Sequence, residues 1–137
     1  ENLKKIRRIA APADFMELLQ LWIFAPPWYE KELASLEEGQ RMAAANEDPQ
    51  SQQGFEGQLD ACIQHDSVDR LPLIKVPTLI TIGAMDIFTP PSFSDVLHKG
   101  IRGSRLEIFP TGGHVHHWED LERFNRLTAQ FLINQGD

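Results

Sequence analysis

Apolar positions recur at two different periods along this chain, and the change falls near residues 66–75. Before it, the spacing is helical. Asn2 to Ala10 reads as a short basic helix interrupted by Pro12. From Asp14 to Phe24 the apolar residues Phe15, Leu18, Leu19, Trp22 and Ile23 fall on one helical face. Asp14 is a candidate N-cap, and Pro26-Pro27 a terminator. Tyr29 to Ala45 reads as one long helix with Leu33, Leu36 and Met42 on its apolar side and Glu30, Glu32, Glu37 and Glu38 facing water. Asn46 to Gly54 is polar, contains Pro49 and reads as a loop. Phe55 to His65 reads as a shorter helix, offering Leu59, Ala61, Cys62 and Ile63 for burial.

After the change the pattern is strand, helix, strand, helix. Val76 to Ile82 is rich in β-branched residues. Pro90-Pro91 suits the first turn of a helix, where the missing N–H costs nothing, and Gly100 suits its end. Leu106 to Phe109 is the next strand. Trp118 to Asn134 is the last helix, with Leu121, Phe124, Leu127, Phe131 and Leu132 as its apolar face. This alternation predicts a parallel strand pair with a right-handed crossover.

Composition narrows the classes. The chain has 137 residues, 42% of them hydrophobic, enough for a packed core. Thirteen basic against twenty acidic residues give a net charge of −7, which argues against a nucleic-acid or anionic-membrane partner. The basic run Lys4, Lys5, Arg7 and Arg8 is short and reads as an exposed helix face. One cysteine, Cys62, excludes an internal disulfide framework and points to a reducing, cytoplasmic setting. No apolar run approaches the roughly 20 residues that span a bilayer, and no secretory signal peptide is visible.

The candidate chemistry lies after the two strands. Val76-Pro77-Thr78-Leu79-Ile80-Thr81-Ile82-Gly83-Ala84-Met85 leads to Asp86, and Leu106-Glu107-Ile108-Phe109-Pro110-Thr111-Gly112-Gly113 leads to His114, 28 positions later. Each ionisable group follows the C-terminal end of a strand, where ligands collect in open parallel sheets. Alone, Asp86 reads equally well as a turn or helix cap, and His114 as a loop histidine. The ordered pair with its flanks matches the second and third members of a Ser…Asp…His triad. No G-x-S-x-G occurs in the chain. A start at Glu1 without an initiator methionine fits a mature protein as well as a truncated one, and the missing nucleophile favours reading the chain as a piece of a longer protein.

Four other features carry less. His114-x-His116-His117 has Trp118 where a metallo-hydrolase pattern needs a carboxylate, so metal binding is not expected and the extra histidines read as exposed. Glu119 and Asp120 read as charges suited to a helix N-terminus. Cys62 lacks an activating motif. Trp22, Phe24, Trp28 and Tyr29 surround Pro26-Pro27 as an aromatic cluster, read first as core and second as an apolar lining over an active-site mouth, with Val115 a further candidate contact.

Residues 55–137 resemble the C-terminal part of an α/β-hydrolase-fold protein of the esterase, lactonase and C–C hydrolase type. The resemblance rests on P-T-L…G-x-x-D at Pro77–Asp86, on G-G-H at Gly112–His114, and on E-D-x-x-x-F-N at Glu119–Asn125. Residues 1–54 resemble the variable helical cap of such enzymes. The resemblance implies an α/β fold: a C-terminal fragment with a helical cap region (residues 1–70) and the last two parallel strands with their helices (residues 71–137). It implies Asp86 as catalytic acid and His114 as base, with Trp22, Phe24, Trp28 and Val115 as candidate substrate contacts. The nucleophilic serine and oxyanion hole would lie upstream.

The implied activity is hydrolysis of a small carboxylic ester, thioester or lactone, without a cofactor. The alternatives are a C–C hydrolase of ring-cleavage products, in which tryptophan often stands where this chain has Val115, and a non-catalytic binding protein of the same fold. The 137-residue chain alone is expected to be inactive. Its strand edge at Val76–Ile82 is expected to drive self-association, directly or through exchange of cap helices, a property that light scattering reads.

Overall fold

The computed structural model describes residues 1–134, and the elements follow the order helices, then strand–helix–strand–helix. They are α1 (Asn2–Ile9), α2 (Pro12–Ile23), α3 (Pro26–Lys31), α4 (Leu33–Ala45), α5 (Gln52–Gln64), a 3-10 helix (Val68–Leu73), β1 (Leu79–Gly83), α6 (Pro91–Gly100), β2 (Arg105–Phe109), α7 (His116–Glu119) and α8 (Leu121–Ile133). Two units divide the chain: Glu1–Leu21 with Lys31–Asp66, and Trp22–Glu30 with the chain from Ser67 onward.

In the first unit α1 packs on α5. The basic face expected to be fully exposed is not. Lys4 is buried, with its ammonium on Asp60 and 3.5 Å from Glu1, while Arg8 Nε donates to Glu56 at 2.7 Å. A lysine stem packs like an apolar chain provided its head meets a carboxylate. Arg8 holds the Glu56 carboxyl down at about 2.

Helix α2 begins at Pro12, so Asp14 lies within its first turn rather than capping it. Phe15 is buried edge-on to Phe55 at 5.5 Å. Buried Gln20 donates to the Leu36 carbonyl at 2.9 Å and accepts from Gln40 at 2.9 Å.

Four further expectations for the helices need correction. The predicted helix Tyr29–Ala45 is two helices: Pro26-Pro27 opens α3, and Glu32 leaves helical geometry where the chain passes from one unit to the other. On α4 the buried apolar residue is Leu36, while Leu33 and Met42 are exposed. Its inward side instead runs from Leu36 through Gly39 and Gln40, because the buried Gln20 amide needs those partners. Helix α5 starts earlier than predicted, with the Ser51 hydroxyl accepting from the Gly54 N–H at 3.1 Å. Cys62 and Ile63 are exposed near its end, because this 13-residue helix outruns the eight-residue α1.

In the second unit β1 and β2 are parallel, in a register from Leu79↔Arg105 to Gly83↔Phe109. Among the described residues β1 has a ladder partner on one side only. Strand β1 starts at Leu79, and Val76 before it is exposed. Ile80, Ile82 and Phe109 are buried with Leu71, Ile101 and Leu127.

The crossover α6 opens on Pro91 and packs on both strands. Gly100, read as a stop signal, is also a close-packing position: a Cβ there would lie 2.6 Å from Leu71 Cδ1 and 2.9 Å from its Cβ, so Leu71 would have to shift. The left-handed turn before β2 falls at Gly103, φ 79°. The predicted last helix is also divided. Asp120, at φ −133°, ψ 64°, ends α7 and caps α8 by accepting from Arg123 N at 3.2 Å. Leu121 and Leu132 on α8 are exposed, and Leu127 is its buried residue. Among the described residues no helix is long and apolar enough to cross a membrane.

Candidate active site

Because β1 and β2 are parallel and in register, the turns that follow them lie side by side. Ala84 N donates to the Phe109 carbonyl and Met85 N to the Gly112 carbonyl, both at 2.9 Å, which ties the two turns together. Gly83 makes this approach possible: a Cβ there would sit 2.1 Å from the Gly113 carbonyl oxygen. Asp86 and His114 follow from these two turns.

Asp86 is 3% exposed and has a full set of donors. Its Oδ1 accepts from the N–H groups of Phe88 and Thr89, both at 2.8 Å. Its Oδ2 accepts from the Thr89 hydroxyl at 2.8 Å and lies 2.9 Å from His114 Nδ1. Burial pushes the Asp86 carboxyl up. The Thr89 N–H, His114 and the Thr89 hydroxyl outweigh that, and the net direction is downward. The ionised form is therefore the one the site holds.

The His114 side chain is 34% exposed. Its Nδ1 meets Asp86 and, at 3.0 Å, the Thr89 oxygen, so a proton on Nδ1 is shared between two acceptors. Nε2 makes no hydrogen bond to any described residue. That arrangement leaves the tautomer with Nδ1–H facing the carboxylate and a lone pair on Nε2.

The other predicted residues divide. Trp22 stands edge-on to Phe88 at 6.3 Å, and Phe88 lies 5.0 Å from the His114 ring, so the three rings form a run. Phe24 and Trp28 instead stack on each other at 5.8 Å and make no ring contact with His114. The Trp28 indole N–H is buried without a hydrogen-bond partner among the described residues. Val115 is half-buried, with its N–H on the Ile23 carbonyl at 3.2 Å.

His116 corrects the expectation of exposed extra histidines. It is 6% exposed, its Nε2 lies 3.0 Å from the Thr81 hydroxyl, and its ring packs 4.8 Å from Phe109. One turn of helix directs it inward, toward the face of β1 that carries Thr81. Burial, then the neighbouring His117, lower its pKa. No group of three metal-ligating side chains converges among the described residues.

Phe88 and Thr89 lie at the site without having been singled out in the sequence, and Glu119 lies there in a role other than the one its position suggested. Thr89 had a local signal, a hydroxyl three positions after a turn aspartate. Glu119 read as a helix-terminus charge. Its carboxylate is instead used on two backbone N–H groups, those of Gly113 at 2.5 Å and Ala25 at 2.6 Å.

No protein-family model matches the sequence. The chain is 39% identical over 67 residues to a proline iminopeptidase of Thermoplasma volcanium, a match covering 49% of this chain and 22% of that protein. It is 42% identical over 62 residues to the serine hydrolase BPHL of Mus musculus, covering 45% of this chain and 21% of that protein. The enol-lactonase of Burkholderia xenovorans LB400 has the same fold over 96% of this chain and 49% of its own, with a TM-score of 0.81 and 20% identity. The chain thus spans less than half the length of each.

Proposed function

Because this chain belongs to the α/β-hydrolase superfamily and carries a C-terminal portion of that fold, we propose that it supplies the acid and base of a serine-type hydrolase. The substrate class is a small carboxylic ester, thioester or lactone. The observation that carries this reading is the 2.9 Å contact between Asp86 Oδ2 and His114 Nδ1 at the ends of adjacent parallel strands.

The chemistry follows from the protonation states. A serine hydroxyl is a weak nucleophile until a base takes its proton. Asp86, held ionised, keeps the imidazole in the Nδ1–H tautomer and stabilises the imidazolium. His114 Nε2 takes the serine proton as the oxygen attacks the carbonyl carbon. The same proton then passes to the departing alkoxide or thiolate as the acyl–enzyme forms, and water repeats the cycle in reverse roles. The serine belongs to a part of the protein outside residues 1–137, as does the oxyanion hole. Trp22 and Phe88, in line with the His114 ring, form the apolar side of the acyl or leaving-group site.

The test is ester hydrolysis by the longer natural polypeptide that contains this chain. Asp86→Asn is expected to lower kcat by about 10⁴-fold, since it favours the wrong tautomer. His114→Ala is expected to abolish labelling of the serine by a fluorophosphonate. The isolated 137-residue chain is expected to show neither activity. Unchanged turnover in both variants, or His114-dependent turnover by the isolated chain, rules the proposal out.

A further inference from the structure

We propose that Glu119 is the positioning residue for His114, acting through the backbone on either side of it. The inference rests on the reading of His114 as the base. Glu119 ends α7, and its two oxygens take two separate amides: Oε2 accepts from Gly113 N at 2.5 Å and Oε1 from Ala25 N at 2.6 Å. Hydrogen bonds from neutral donors to a carboxylate are among the stronger ones available to a backbone N–H.

Gly113 immediately precedes His114, and Val115, immediately after it, donates to the Ile23 carbonyl at 3.2 Å. His114 is therefore held from both sides. The residue before it is bound by the carboxylate. The residue after it is bound by Ile23, whose near neighbour Ala25 is bound by that same carboxylate.

Packing cannot do this job. A Cβ at position 113 would lie 2.6 Å from Ala25 N and 2.7 Å from the Ile23 oxygen, so the position must be glycine. A glycine has no side chain to wedge, and it has the widest backbone freedom of any residue. Only its N–H and C=O are available to fix it, and the N–H goes to Glu119.

The clamp itself has a fixed base. The single turn of α7 is anchored at one end by His116 on the Thr81 hydroxyl, at 3.0 Å, and is followed by the Asp120 cap of α8. On the opposite side, Asp86 is fixed by the Phe88 and Thr89 amides. The separation of His114 Nδ1 from Asp86 Oδ2 is thus set by two backbone clamps. The Glu119 clamp also ties that loop to the segment bearing Trp22, Phe24 and Trp28.

The experiment is NMR of the ¹⁵N-labelled chain and of its Glu119→Gln, Glu119→Asp and Asp86→Asn variants. Gln keeps one acceptor and turns a donor toward the other amide; Asp keeps the charge but is too short to reach both. In Glu119→Gln, hydrogen exchange at Gly113 N–H is expected to accelerate about tenfold or more. The His114 Nδ1–H resonance is expected to broaden or vanish, and the imidazole nitrogens to show mixed tautomers. The β1 and β2 amides keep their positions.

If Gly113 responds but the His114 imidazole signals match the parent, Glu119 serves the backbone alone and the proposal is overturned. Asp86→Asn separates this from failure of the functional reading. An imidazole indifferent to Asp86→Asn sinks that reading, whatever Glu119 does. If Glu119→Gln does not fold, Glu119→Asp is read in its place. Loss of the β1–β2 pattern in both variants makes Glu119 a general structural residue and also refutes the proposal.

Discussion

The helical unit of Glu1–Leu21 and Lys31–Asp66 and the unit built on β1 and β2 are held by different kinds of contact. The first buries two large apolar side chains, Phe15 and Leu36, beside two polar ones, Lys4 and Gln20. Its specificity comes from side-chain hydrogen bonds: Lys4 with Asp60, Arg8 with Glu56, and Gln20 with Gln40 and the Leu36 carbonyl. The second buries Leu71, Ile80, Ile82, Ile101, Phe109 and Leu127. Its turns are then locked backbone to backbone through glycines that admit no Cβ. A site that needs two ionisable groups at hydrogen-bond distance belongs in the second kind of unit. Backbone ladders repeat to within a few tenths of an ångström, whereas long side-chain pairs keep rotamer freedom.

The comparison is broken most forcefully at the cores. Phe109, 1% exposed, packs against His116, Phe124 and the Arg123 guanidinium, 4.3 Å above its ring. Phe109→Ala is expected to destabilise the second unit by about 3–5 kcal/mol, and Leu36→Ala to destabilise the first by about 2–5 kcal/mol. Urea unfolding followed by hydrogen exchange would show each variant opening its own unit first. Equal loss of protection in both units from either variant would mean that they unfold as one.

Acid should separate the units next. The pKa of His116 is lowered in the folded chain, so its neutral form stabilises the second unit above the ordinary histidine value of 6.5. That contribution is lost as the pH falls below 6.5 through the lowered folded value. Glu56, held at about 2 by Arg8, contributes above its ordinary 4.5 and loses that contribution only as the pH falls from there toward 2. Peptide-resolved hydrogen exchange across this range is expected to show α7 and β1 loosening before α1 and α5. His116→Asn should remove the early phase. Loosening of α1 first would contradict the assignment.

The smallest effect is at a helix end. Ser51→Ala removes the bond to Gly54 N and is expected to cost about 1 kcal/mol, read as faster exchange in the first turn of α5 with β1 and β2 untouched.

Read residue by residue, the chain already contained the strand–helix–strand part of the second unit. Short apolar runs, Pro90-Pro91 and paired glycines are local signals, and they located both strands, α6 and the turns bearing Asp86 and His114. Order along the chain sufficed to match the two side chains, because parallel neighbours in register deliver their following turns to one place. The helical unit was legible only as helices. Which face each one buries depended on partners far along the chain, so Lys4 went in and Cys62 stayed out.

The same limit applied at the site. Thr89 is three positions from Asp86 and within reach of a local rule. Glu119 meets a backbone N–H 94 positions away, at Ala25, and no spacing in the sequence encodes that meeting. His116 looked like its neighbour His117 until one turn of helix aimed it at Thr81. Local periodicity governs what each segment becomes. Close approach between distant segments governs which polar groups are left to satisfy one another, and that was decided only when the chain folded.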